Sequence, residues 1–349
     1  MTTPKVENGD GSGGVWKTGE YTPPMSGTEA PEFMHVRHQP VRVPDVLRGV
    51  EVGAALCVLA SGSSGNCSAL VLRRGAVVRM TLIDLGLSPR RTFKLLADRG
   101  FRPDQIDGAI VTHLDSDHFH PTWLGALPAH AWLRMHERHA RQLEGGAVIR
   151  RHASGRSGAR HDRMAAFGDN PFEIDEGVTV HPLLMSHDEH GVSTLRIDMH
   201  GVEAGSLGFC TDLGHVTADL VEHLRAREGV DVLAMESNYC PRMQLASSRP
   251  WFLKNRIMGG SGHLSNQQAL EAVRAVAPRE HVVTLHLSRE CNDPALVAEL
   301  HAGSDYALTI AHQFTPTRWI RLTRGEKPLA RPVVSTRLEA TRTLWTLEA

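Results

Sequence analysis

A chain of 349 residues, 41% hydrophobic and 22% charged, is long enough to bury a large core and has an ordinary globular composition. Its formal net charge of -1 excludes a global electrostatic pull towards nucleic acid or membrane, so any polyanion site has to be a local patch. Five scattered cysteines (Cys57, Cys67, Cys210, Cys240 and Cys291) form no C-x-x-C pair and read as reduced thiols rather than a disulfide frame or thiolate zinc site. No apolar run is long enough to span a bilayer and no secretory signal is visible, so a cytoplasmic protein without a membrane anchor is expected.

Residues 1–50 are rich in Gly, Pro, Ser and charge without hydrophobic periodicity, and are expected to form a flexible leader. Folding is expected to start near Ala54, with a buried strand running to Ala60. A Gly/Ser turn, Ser61–Asn66, leads into strand-like runs at Ser68–Leu72 and Val77–Ile83. Ser88 as N-cap and Pro89 in the first position predict a helix extending to Arg99. Gly108–Thr112 reads as a strand that delivers the chain into a His/Asp-rich loop. After a helical and basic stretch come strands over Val178–Met185, Thr194–Met199 and Ser206–Cys210, a helix over Thr217–Arg227 and a strand over Val230–Met235. A helix follows Leu264, and a strand covers His281–Leu285. Short apolar strands followed by strand–helix alternation in each half predict an α/β (α+β) chain of two packed sheets covered by helices, with no short-period repeat. Beyond Phe314, Arg318, Arg321, Arg324, Lys327, Arg331, Arg337 and Arg342 mark a basic C-terminal appendage over 315–349, either an extra strand or a mobile arm.

The chemistry concentrates in Thr112-His113-Leu114-Asp115-Ser116-Asp117-His118, directly after an apolar strand. A turn leaving a strand end can aim several side chains into one cavity, where imidazole and carboxylate bind divalent cations. Neighbouring desolvated carboxylates repel, and a cation relieves them. Other metal-ligating residue types stand at later strand ends: Asp84, His187, Asp212 and His286. Strands of one sheet place their ends along one edge, so these positions predict a shared site.

The series Asp84, His113-x-Asp115-x-Asp117-His118, His187, Asp212 and His286 resembles the five motifs of the metallo-β-lactamase superfamily. Leu59-Ala60-Ser61-Gly62-Ser63-Ser64-Gly65-Asn66, Glu236-Ser237-Asn238, Gly262-His263-Leu264-Ser265-Asn266 and His286-Leu287-Ser288-Arg289-Glu290-Cys291-Asn292 are similar to its YycJ/WalJ branch of DNA-directed exonucleases. The resemblance spans about residues 55–300 and implies a four-layer αββα sandwich over a hydrolase domain at 51–314. It also implies two divalent cations, Zn or Mn, with Fe or Mg as further candidates. One would take His113, Asp115 and His187, the other Asp117, His118 and His286, with Asp212 bridging and Asp84 orienting a ligand by a hydrogen bond. The family usually has His where Asp115 stands; a carboxylate there makes the first site harder and more anionic, favouring Mn, Fe or Mg over Zn. The branch's Glu-Ser-Asn-His-Asp run reads Glu236-Ser237-Asn238-Tyr239-Cys240 here.

The implied mechanism is phosphodiester hydrolysis by a hydroxide held between two cations, with His263 as general acid and Glu236 setting its tautomer. Ser61, Ser64 and Asn66 in the Gly-spaced turn, and Arg289, are candidate phosphate contacts. His190 and His215 would line the mouth, His120 would cap a helix, and His130, His136 and His139 are expected at the surface. His181, His200 and His281 read as ordinary strand-end histidines, and Arg150, Arg151, Arg156, Arg160 and Arg163 as a solvated loop. The expected substrate is DNA, and the residues identify no protein partner. Two other readings stay open: hydrolysis of a small phosphodiester, ester or lactone, and a degenerate metal-binding scaffold without catalysis.

Overall fold

The computed structural model describes residues 43–145, 161–187, 189–201 and 205–324. The expected leader up to residue 42, Arg150, Arg151, Arg156 and Arg160, and the tail beyond Arg324 lie outside the described residues. The first sheet contains β1 (Val52–Ala60), β2 (Cys67–Arg74), β3 (Val77–Ile83), β4 (Ile106–Val111), β5 (Trp132–His136), β6 (Met164–Phe167) and β14 (Ile320–Leu322), in the order 14-1-2-3-4-5-6. The second contains β7 (Phe172–Asp175), β8 (Val178–Met185), β9 (Val192–Met199), β10 (Ser206–Cys210), β11 (Val232–Glu236), β12 (His281–Leu285) and β13 (Ala307–Ile310), in the order 13-12-11-10-9-8-7. The helices are α1 (Pro89–Ala97), α2 (Glu137–Gly145), α3 (Ala218–Arg225), α4 (Pro241–Ala246), α5 (Trp251–Met258), α6 (Asn266–Val276) and α7 (Pro294–Leu300).

The two-residue period of a strand sorts its side chains into separate layers. In β1, Ala54, Leu56 and Val58 face the second sheet, where they meet Val180, Leu195, Ile197, Leu207, Phe209, Val232 and Val283. The alternate residues Ala55, Cys57 and Leu59 pack on the other face with Leu96 of α1, Leu143 of α2 and Trp123. The outer face of the second sheet is covered likewise by Leu220 and Leu224 of α3 and Ala269, Val273 and Val276 of α6. Both faces of each sheet are therefore buried, which is why β1 and β4 read as unbroken apolar runs. The result is the αββα sandwich.

Each sheet is half antiparallel and half parallel. β3, β4, β5 and β6 run parallel, as do β10, β11, β12 and β13. β8 and β10 are each antiparallel to β9 and so share a direction. The carboxyl ends of β3, β4, β8, β10, β11 and β12 therefore carry Asp84, His113, His187, Asp212, Glu236 and His286 outward, the place where α/β sheets bind ligands.

Ser88 caps α1, accepting from the amide of Arg91, and Ser265 caps α6 reciprocally with Gln268. Residues 43–50, read as leader, instead join the fold: Asp45–Leu47 form a 3-10 turn and Leu47 is buried in the core beneath β1. Residues 315–324, read as appendage, also join it. Thr317 accepts from the Val58 amide through its hydroxyl, and β14 pairs with β1 as an edge strand. His136 and His139 are buried, not superficial; the Nε2 of His139 lies 2.9 Å from the carbonyl of Gly191. All five cysteines are free and buried. No helix of the described residues is long and apolar enough to cross a membrane.

One buried charge ties β9 to the end of α3. Arg196, 1% exposed, pairs with Asp198 at 2.9 Å and donates to the carbonyls of Leu224, at 2.9 Å, and Gly229, at 3.1 Å. Replacing it by Met strands Asp198 and several carbonyls without a donor. Arg196→Met should lower unfolding free energy by about 3–5 kcal/mol. A urea midpoint within error of wild type would refute this role.

Candidate metal centre

The site is assembled from turns that a side chain enters at some cost. Asp84, Asp212 and His286 all have positive φ (61°, 53° and 56°), a left-handed conformation rare outside glycine. Each follows the end of an apolar strand, and the reversal swings its side chain over the sheet edge. Such strain is of order 1–3 kcal/mol per residue and persists only where the surroundings over-determine it. Gly86 permits the closest approach: a Cβ there would fall 1.7 Å from the carbonyl oxygen of Asp117.

Three histidines turn the same nitrogen inward. The Nδ1 of His118 donates to Asp84 Oδ2 at 2.7 Å. The amide and hydroxyl of Thr112 both donate to Asp84 Oδ1 at 2.8 Å, leaving the hydroxyl oxygen, 3.0 Å away, to accept from His113 Nδ1. His187 Nδ1 donates to the carbonyl of Gly262 at 3.1 Å. With Nδ1 committed outward, the Nε2 lone pair of each ring faces the centre, the state a metal ligand needs. Asp84 thus governs two of these rings at once.

Around them, donor atoms of His113, Asp115 and His187 lie within 4.8 Å of one another, as do those of Asp117, His118 and His286. Asp212 joins a third group with His113 and His118, and a fourth with Glu236, His263 and His286. Its Oδ2 sits 2.5 Å from His118 Nε2 and 3.5 Å from His113 Nε2, while its Oδ1 sits 3.2 Å from His286 Nδ1. His286 Nε2 contacts Asp117 Oδ2 at 3.0 Å. The seven residues expected as ligands are therefore side by side. His263 Nδ1 pairs with Glu236 Oε1 at 2.6 Å and lies 3.2 Å from Asp212 Oδ1. Glu236, fully buried, also accepts from the amides of Leu213 and Leu264 through Oε2.

The electrostatics match a cation. Burial opposes charge on His286, yet Asp212 and the hydrogen bond to Asp117 prevail and raise its pKa to about 9. Burial opposes it on His263 too, and Glu236 and Asp212 lift that ring to about 10. Burial works against the Asp117 carboxylate, but His286 and His118 hold it at about 2. Burial, reinforced by the charge of His118, pushes His113 well below the usual histidine range, so it stays neutral. Two buried atoms, His113 Nε2 and Asp212 Oδ1, have no hydrogen-bond partner among the described residues, although both face the centre. Orphaned lone pairs in a dense carboxylate–imidazole cluster are what a divalent ion satisfies, so the residues fit one or two such ions.

The phosphate-contact expectations fare differently. Ser61 and Asn66 are buried and spend their polar groups on the scaffold. The Ser61 hydroxyl accepts from the His286 amide at 2.8 Å and donates to Asn66 Oδ1, while Asn66 Nδ2 donates to the Asp117 carbonyl at 3.1 Å. Both therefore brace the turns that carry His286 and Asp117. The Ser64 amide donates to Gln313, and Arg289 is exposed with its guanidinium over the Phe314 ring. His120 does cap the 3-10 turn Pro121–Gly125. Above the centre opens a cavity of about 550 Å³, lined by Asp115, Asp117, His187, Asp212, His263 and His286 and also by Asn238, Arg249 and Arg256. Asn238 belongs to the Glu236-Ser237-Asn238 motif; Arg249 and Arg256 were not singled out from sequence, and their signal was a run without acidic residues after Glu236.

Fold and donor clusters together define a metal-dependent hydrolase. The chain belongs to the beta-lactamase superfamily, whose domain model matches residues 79–286. It is homologous to the exodeoxyribonuclease WalJ of Streptococcus pneumoniae, at 28% identity over 245 residues, covering 69% of this chain and 84% of the relative. The exodeoxyribonuclease YycJ of Bacillus anthracis matches at 28% over 243 residues, covering 69% and 85%. Among solved structures, the fold is shared with the metallo-beta-lactamase fold protein YhfI of Bacillus subtilis (TM-score 0.53, 15% identity, covering 76% of this chain and 99% of that one). It is also shared with Zn-bound PqqB of Methylobacterium extorquens (TM-score 0.54, 14% identity, 75% and 99%).

Because Asp84 holds both His113 and His118, Asp84→Ala should weaken metal binding about 10- to 100-fold. Competition against a chromogenic chelator reads this directly, and unchanged affinity would dismiss the orienting role.

Proposed function

We propose that the chain hydrolyses phosphodiester bonds of DNA as an exonuclease, using two divalent cations, Zn or Mn, with Fe or Mg as further candidates. The observation that carries the reading is the donor set of His113, Asp115 and His187 beside that of Asp117, His118 and His286, with Asp212 contacting members of both. The names of the two curated relatives support the substrate class. In this reading the two triads hold one cation each and Asp212 lies between them. Held by these residues, the cations would supply a water of lowered pKa and positive charge for a phosphoryl oxygen.

The remaining work falls to the protein's own groups. His263 lines the cavity with Nδ1 fixed by Glu236, so Nε2 is the nitrogen left to deliver a proton to the departing oxygen. Glu236 sets that tautomer and, through the Leu213 and Leu264 amides, fixes the neighbours of Asp212 and His263. Asn238 donates to the His286 carbonyl at 2.8 Å and steadies the ligand turn. Arg249 and Arg256 on the cavity wall supply positive charge for the substrate's phosphates.

The decisive experiment loads the full chain with Mn²⁺ or Zn²⁺ and compares 5′-phosphorylated DNA, RNA, a chromogenic phosphodiester and a lactone. DNA turnover that disappears in Asp117→Ala is expected; turnover of the lactone alone would select a small-molecule hydrolase, and inertness with every metal a scaffold. His263→Ala should lower turnover by about 10²–10⁴-fold with metal content retained. Equal loss of metal and activity would make His263 a ligand instead. Metal analysis should find two ions per chain, with the one near Asp115 exchanging faster; only trace metal and no rebinding would end the dinuclear reading.

A further inference from the structure

The segment that carries α4 and α5, whose Arg249, Leu253, Arg256 and Ile257 form one wall of the cavity, has a distinctive composition. Between Glu236 and Glu271 the chain carries no Asp or Glu, although Asp and Glu number 39 in all, and Arg242, Arg249, Lys254 and Arg256 fall within that run. The segment packs through one side only. Leu253, Ile257 and Met258 of α5 join Met243, Tyr239 and Cys291 in a small core of their own. The helix spacing then turns Trp251 and Phe252 outward, where they are 65% and 74% exposed. Leu245 of α4, 43% exposed, completes three of the six large apolar side chains most exposed among the described residues. Exposed aromatics grouped on an otherwise polar surface mark a contact site rather than a packing need.

Their surroundings indicate the partner. Arg249 and Arg256 line the metal cavity and flank these two aromatics in sequence, so phosphate-sized charges can be met on the way in. Arg249 is braced by Glu290 at 2.9 Å and reaches the Ser288 hydroxyl beside the ligand His286. Arg256 is exposed and has no carboxylate partner among the described residues. Guanidinium groups on a groove wall followed by exposed aromatic rings are the two elements by which single strands are held: phosphates by charge, unstacked bases by ring faces. A paired duplex end offers its phosphates but keeps its base faces stacked.

We propose that α4 and α5 form an arm for unpaired nucleic acid, with bases of the strand leading to the metal centre stacked on Trp251 and Phe252 and its phosphates on Arg249 and Arg256. This rests on the DNA-hydrolase reading and adds the form of the substrate: a strand with several unpaired nucleotides next to the bond that is cut. The contact is sequence-tolerant because every base has a stacking face.

The test uses the full chain loaded with Mn²⁺, a fluorescent single-stranded oligonucleotide and a blunt duplex of the same sequence. Wild type should show a higher kcat/KM on the single strand than on the blunt duplex. The double variant Trp251→Ala/Phe252→Ala should lose about tenfold or more on the single strand, chiefly through KM. Trp251→Tyr/Phe252→Tyr should restore most of that loss, which a folding defect would not allow. Arg256→Gln should reduce the slope of log affinity against log salt by about 0.7, one phosphate contact on a single strand. A double variant that cleaves the single strand as well as wild type would overturn the arm while leaving the DNA reading intact. Wild-type turnover of a chromogenic diester but of no oligonucleotide would overturn both. Concentration-dependent self-association that the double variant abolishes, with strand cleavage unaltered, would assign the aromatics to a protein contact instead.

Discussion

The structure depends on a carboxylate held where a carboxylate should not be. Asp212 is 1% exposed, sits in left-handed backbone, and shares a histidine with each of three other carboxylates: His263 with Glu236, His118 with Asp84 and His286 with Asp117. At 4 Å, two like charges cost about 4 kcal/mol even with an effective dielectric constant near 20. Such a group of carboxylates is tolerable only if positive charge stands among them. Histidines are the protein's first answer: His118 and His286 are shifted towards their protonated forms against the burial that opposes it. A divalent ion is the stronger answer, because it leaves the imidazoles neutral and takes their lone pairs. Fold stability and metal occupancy are therefore coupled, and part of the binding energy relieves charge that folding has concentrated.

The two sheets make that concentration possible. Parallel strands within one sheet point their carboxyl ends in one direction, and the sandwich sets two such edges against each other. The first sheet brings Asp84 and the His113–His118 loop, and the second brings His187, Asp212, Glu236 and His286. Hydrogen bonds cross between the halves beneath the donors: the Ser193 amide donates to the Thr112 carbonyl, and the His286 amide to Ser61. The turn Ser61–Asn66 earns its glycines here. It braces His286 on one side and the Asp117 carbonyl on the other, so the second donor triad is positioned by both sheets.

What sequence made legible follows from this arrangement. Strand-end ligands stand out because each polar residue interrupts an apolar run, as Asp84 does after Val77–Ile83 and His286 after His281–Leu285. Helix starts were readable at Ser88-Pro89 because the cap chemistry is local. The strand Trp132–His136 was not readable, since Leu133 and Met135 alternate with Arg134 and His136 over only five residues and pairing between β4 and β6 makes it a strand. His136 and His139 looked superficial for the same reason: their burial comes from tertiary neighbours such as Gly191, 52 residues away from His139. Ser61 and Asn66 illustrate a different limit. A Gly-spaced polar turn has the same sequence whether its donors face a ligand or a scaffold, and only the partners, His286 and Asp117, decide. Residues 320–322 pair with β1 as an edge strand although Arg321 lies at their centre, because an edge tolerates charge.

Asp115 shows how one position can divide the centre into unequal halves. Its carboxylate is 44% exposed and lies 3.9 Å from His113 Nε2 and 3.8 Å from His187 Nε2. Across the site, His286 Nε2 is only 3.0 Å from Asp117 and His118 Nε2 only 2.5 Å from Asp212, with both rings buried. The triad of Asp117, His118 and His286 is thus the more buried, with its carboxylate 23% exposed, and is held by Asp84 and Asn66, whereas that of Asp115 is more open to solvent on its carboxylate side. A hard, exposed oxygen ligand in place of an imidazole permits faster ligand exchange and favours ions that accept oxygen donors readily. The asymmetry also faces the cavity, because Asp115 and His187 line it together with Arg249 and with Arg256 of α5. In the proposed reading, the half of the centre that holds Asp115 would be the half that an incoming phosphate meets, and a substrate oxygen there would complete the ligand set that an exposed carboxylate fills only in part.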